Sequence, residues 1–81
     1  MTENEYRKRK LDKINREEGY ETILIDEESG YAVTKEILND KDYTPTYVIM
    51  RYKAHREFWD VHDYTANLKD AMEIFFNLIS K

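Results

Sequence analysis

The sequence predicts an α+β fold: an antiparallel meander of three to four strands flanked by an N-terminal and a C-terminal helix, in the order α-β-β-β-β-α. Two observations lead there. A capped helical pattern stands at each end of the chain, and between them lie short runs of β-branched and aromatic residues separated by brief turns. With 81 residues the chain makes one domain, spanning 1–81.

The first helix is predicted over 3–18. Thr2 and Glu5 have capping-box spacing, and Gly19 stands where a left-handed C-cap favours glycine. Its apolar residues, Tyr6, Leu11 and Ile14, form a narrow stripe, so this helix is expected to dock weakly and expose most of its circumference. A strand follows over 20–26, with Tyr20, Thr22, Ile23 and Ile25. The turn Glu27-Glu28-Ser29-Gly30 leads into a second strand over 31–38. The end of that strand, from Thr34, is equally compatible with a helical turn, because so short a run has no decisive period. Residues 39–45 form the main loop and hold the only Pro. Strands over 46–53 and 58–64, joined by the short turn 54–57, read as a hairpin. Tyr47 and Tyr52 lie on opposite faces by parity, which predicts that they cannot both be core.

Asn67 is expected to cap the last helix, with Asp70 as its capping-box partner. Leu68, Ala71, Met72, Phe75 and Ile79 follow helical spacing, and Ile74, Phe76 and Leu78 widen the stripe, so this helix should cover one face of the sheet.

Composition excludes several classes. The absence of Cys removes disulfides, thiolate metal sites and Cys nucleophiles. No apolar run approaches the length of a membrane span. The first twenty residues are charged throughout, which argues against a secretory leader and for a cytoplasmic protein. Eleven aromatic residues argue against disorder. A domain this small has little structure from which to build a deep pocket, so surface binding outweighs catalysis.

Charge is unevenly placed. Residues 1–16 carry a net +3, residues 17–42 a net −7, and residues 43–81 a net of zero. The acidic block includes Glu17, Glu18, Glu21, Asp26, Glu27, Glu28, Glu36, Asp40 and Asp42. Such a surface could mimic nucleic-acid phosphates and fit a basic channel; the simpler reading is solubility. The basic block, Arg7, Lys8, Arg9, Lys10 and Lys13 with Arg16, could lie along phosphates. Its simpler reading is a solvated helix face with pairs such as Glu3–Arg7. The overall acidity of −4 argues against a general nucleic-acid binder.

Asp60-Val61-His62-Asp63 is the one segment with catalytic residue types. On a regular strand Asp60 and His62 share a face, Asp63 takes the other, and His55 and Glu57 lie across the hairpin. Two ligands do not make a metal site. The simpler reading is an exposed polar face whose Trp59 and Val61 point inward. No metal, cofactor or catalytic residue is therefore expected. Seven tyrosines are present, and two or three of them, Tyr43 in the main loop among the candidates, should be exposed where they favour a protein interface.

As one cysteine-free domain with tyrosine-rich strands, an acidic hairpin and flanking helices, the chain resembles the small acidic inhibitors encoded by bacteriophages and mobile elements, including anti-CRISPR proteins. The resemblance implies a non-enzymatic module in the host cytoplasm, acting on a bacterial effector such as a Cas nuclease. Glu27, Glu28, Asp40 and Asp42 would enter its basic groove, with Tyr43 beside them. The alternative is a nucleic-acid-associated regulator using Arg7, Lys8, Arg9, Lys10 and Lys13. A homodimer is a third possibility, formed through the first helix or an uncovered sheet face.

Overall fold

The computed structural model describes residues 2–26, 28–37, 44–56 and 58–80. The elements are α1 (Glu3–Glu18), β1 (Tyr20–Asp26), β2 (Tyr31–Glu36), β3 (Tyr47–Lys53), β4 (Phe58–Thr65) and α2 (Leu68–Ile79). The four strands form one antiparallel sheet in the order β1-β2-β3-β4. The predicted α+β meander is the observed fold.

Local chemistry sets the element ends. Thr2 Oγ1 accepts from the Glu5 amide at 3.2 Å and opens α1. Gly19, at φ 80°, closes it by donating its N–H to the Asn15 carbonyl. Gly30, at φ 78°, turns β1 into β2. The segment from Thr34 is strand as far as Glu36, whose amide donates to Thr46 O at 2.9 Å. Leu38 lies outside the described residues. Asn67 caps α2 as expected, but its Oδ1 accepts from the Lys69 amide. Its own N–H goes to Thr65 Oγ1, so Asp70 is not the capping-box partner.

Each face of the sheet carries one helix. Ala32, Val48, Met50 and Trp59 pack with Leu11 of α1 on one face. Val33 and Ile49 pack with Ala71 and Phe75 of α2 on the other. Residues adjacent along a strand point to opposite faces, so β2 and β3 are buried on both sides. Tyr52 packs on the α1 side and Tyr47 on the α2 side, opposite faces as parity predicts, and both are half-buried because each face has its own helix. The first helix exposes most of its circumference, as expected, and Arg7 and Asn15 join its apolar residues in the contact with the sheet.

Each end of α1 is fixed by polar contacts. Near its start, the Arg7 guanidinium stacks 4.7 Å from the centroid of Tyr52 and pairs with Glu3 at 2.7 Å. Tyr52 packs on Trp59, centroids 5.4 Å apart, and the Trp59 indole donates to Arg7 O. Near its end, buried Asn15 donates from Nδ2 to Thr22 Oγ1 at 2.7 Å. Both edge strands carry a bulge, at Ile23 in β1 and at His62 in β4.

Candidate functional site

The candidate site is the α1 face of β4 and the groove beside it. α1 crosses only part of its face, and between it and β4 runs an open groove of about 320 Å³. Its floor is Thr34, Val48 and Met50; Ile14, Asn15 and Glu18 form the α1 wall, and Trp59 and Val61 the β4 wall. That volume sits at the small end of ligand pockets, which run from roughly 300 to 1,000 Å³, and the groove is open rather than enclosed. The floor hydroxyl of Thr34 is committed internally, donating to Val48 O at 3.3 Å. What remains is mainly apolar.

Two apolar side chains of β4 stand in solvent on this face, Val61 at 59% beside the groove and Tyr64 at 70% of full exposure, while Phe58, paired with Lys53, takes the other face. The register sets Val61 against Met50 and Tyr64 against Val48, so exposed groups directly neighbour buried ones of the floor. Val61 therefore does not point into a core as expected. It shares the α1 face with Trp59, but α1 covers only Trp59.

The backbone of β4 is poorly suited to accept another strand. The bulge at His62 breaks the ladder, and the Tyr64 amide is held by the Asp63 carboxylate at 2.8 Å. The bulge also changes the expected alternation. Asp63 pairs with Ile49, which faces α2, and the His62 ring meets Tyr31 edge-on at 5.6 Å on the same side. His62 and Asp63 thus share a face.

Asp60 is held by Lys53 at 3.0 Å. The Lys53 hydrogen bond, then its charge, hold the Asp60 carboxyl below the usual aspartate range, with smaller help from the Val61 amide and Arg56. An ionised, ion-paired carboxylate is a poor general base at neutral pH. Among the described residues no cluster of three or more His, Asp or Glu could hold a metal, and no helix is long and apolar enough to cross a membrane.

Of the residues expected to meet a partner, Glu28 is exposed in the β1–β2 turn. Glu27, Asp40, Asp42 and Tyr43 lie outside the described residues. The described acids do not gather into one patch. Glu28 stands at one end of β1; Glu17, Glu18, Glu21 and Glu36 stand at the other, a strand of seven residues away, or roughly 20 Å. Glu18 borders the groove. In the basic block, Arg7 is engaged with Glu3 and Tyr52, and Lys10 lies 4.9 Å from the Tyr6 ring centroid. Lys8, Arg9, Lys13 and Arg16 are exposed. The sequence reading missed the β4 surface because the exposure of Val61 depends on how much of the sheet α1 covers.

The geometry defines a two-helix, one-sheet α+β domain with an open apolar groove beside its β4 edge. No family model, curated protein or solved structure gives a significant match to the chain.

Proposed function

We propose that the protein is a non-enzymatic binding module that occupies a surface of another protein through β4 and the adjoining groove. The observation that carries this reading is the neighbouring pair of solvent-exposed side chains Val61 and Tyr64 on the face of β4 that borders an open apolar groove. A small domain exposes contiguous apolar groups at a cost to solubility, and such patches mark interaction sites. Aromatic residues favour interfaces because they bury large area with few rotatable bonds. The blocked edge of β4 favours docking through side chains over strand addition.

The partner suited to this surface is basic. The chain carries −4, and Glu18 borders the groove. Glu17 and Glu18 end α1, where the helix dipole disfavours acids, so helix stability does not account for them. Electrostatic attraction would speed capture of a cationic partner. In its specific form the proposal is a small inhibitor of the phage or mobile-element type, directed at a bacterial nuclease with a basic groove. Glu27, Glu28, Asp40, Asp42 and Tyr43 belong to that specific form as a second contact region.

The test is affinity capture from bacterial lysate with the full chain, compared with Val61→Asp and Glu28→Lys. A protein retained by the wild type and lost with Val61→Asp supports the β4 surface. Loss with Glu28→Lys alone moves the contact to the turn. Capture unaffected by either substitution removes both surfaces.

A further inference from the structure

We propose that the protein self-associates through α2, with two copies packing antiparallel about a two-fold axis at Met72. At 100° per residue the apolar arc of α2 runs from Ile74 round to Phe76, roughly 200°, which is wider than one sheet face can cover. Ala71 and Phe75 are buried against the sheet. On the flank, Leu68 at 41% and Phe76 at 51% exposure stand either side of Met72 at four-residue intervals. A shallow depression runs along this flank, bordered by Lys69, Glu73 and Asn77.

The occupant is a second copy because the flank is complementary to itself. In a two-fold contact residue i meets j and j meets i. An antiparallel pair centred on Met72 sets Leu68 against Phe76 of the other copy, twice, and Met72 against its counterpart. Lys69 and Glu73 form a row along one side of this stripe. The two-fold keeps that row on the same side of both copies, so Lys69 of each approaches Glu73 of the other, offset by about 3 Å along the axis; the two Glu73 side chains have the same offset, so two attractive pairs stand against one repulsive one. The antiparallel arrangement also opposes the two helix dipoles. α2 has 12 residues, about 18 Å of contact. A contact that short is small beside a standard interface, so the dimer should be weak and concentration-dependent. α2 lies on the opposite sheet face from the groove, so this contact is independent of the binding proposed for β4.

Sedimentation equilibrium of the full chain up to about 1 mM tests it. The wild type should form a dimer, and Phe76→Glu should be monomeric with an unchanged far-ultraviolet circular dichroism spectrum. Lys69→Glu and Glu73→Lys should each weaken association roughly fivefold, and the two together should restore it to within about twofold. A strict monomer at the highest concentration overturns the proposal. So does a double variant that associates no better than the single ones.

Discussion

The Trp59 indole donates a 2.8 Å hydrogen bond from Nε1 to the carbonyl oxygen of Arg7, 52 residues earlier in the chain. One buried side chain thereby joins the first helix to the last strand and forms a wall of the candidate groove. Trp59→Phe keeps most of the packing and deletes the hydrogen bond; it should cost about 1–2 kcal/mol. Trp59→Ala should cost about 3–5 kcal/mol, enough to unfold a marginal domain. Urea unfolding of the two variants measures the difference.

Asn15 holds the other end of α1. Its buried side chain donates to Thr22 Oγ1, which in turn lies 3.4 Å from Asp12 Oδ1. Asn15→Ala should destabilise by about 1–3 kcal/mol. In a double-mutant cycle with Thr22→Val the two losses should fall short of additive by about 1 kcal/mol. Additive losses would mean that the hydrogen bond contributes nothing.

Gly19 and Gly30 both sit at positive φ. A Cβ at Gly19 would meet nothing within 4 Å, and one at Gly30 would meet Tyr52 Cβ at an ordinary 3.5 Å. Alanine at either position should therefore cost only the backbone strain, about 1 kcal/mol. Gly19→Asn should cost less than Gly19→Ala, since Asn tolerates the left-handed region better. Thermal unfolding of the three variants checks the order.

Asp60 should titrate below the usual aspartate range because Lys53 donates to it. Its pKa is lowered by folding, so its stabilising contribution is present above the ordinary aspartate range and is lost as pH falls through the folded value. Lys53→Met should return Asp60 to an ordinary value, and the stability gap between variant and wild type should close in acid. The pair is exposed, so added salt should shrink the effect. Carboxyl-carbon NMR titration of both proteins reads the shift directly.

The fold was legible where local chemistry acts alone. Thr2 and Gly19 bound the first helix, Gly30 marks the first hairpin, and the spacing of Ala71 and Phe75 marks the buried side of α2. It was less legible where burial depends on distant partners. Asn15 is buried although it is polar, because Thr22 waits opposite it. Tyr47 and Tyr52 are both half-buried because a second helix, poor in apolar residues, is secured by Arg7 and the Trp59 indole. His62 and Asp63 share a face because a bulge interrupts the alternation, and bulges leave little trace in a run such as Asp60-Val61-His62-Asp63. The candidate surface was hidden for the same reason: Val61 reads as core in an alternating strand, and only the path of α1 leaves it in solvent.

The central claim is that β4 meets a partner protein through its exposed side chains. Site-specific photocrosslinking tests it most directly, with benzoylphenylalanine in place of Tyr64 and, in a control, of Lys13, each protein mixed with bacterial lysate. The account predicts one discrete crosslinked protein from position 64, competed away by the unlabelled wild type, and none from position 13. A competed crosslink from position 13 alone would place the contact on the basic helix and contradict the account.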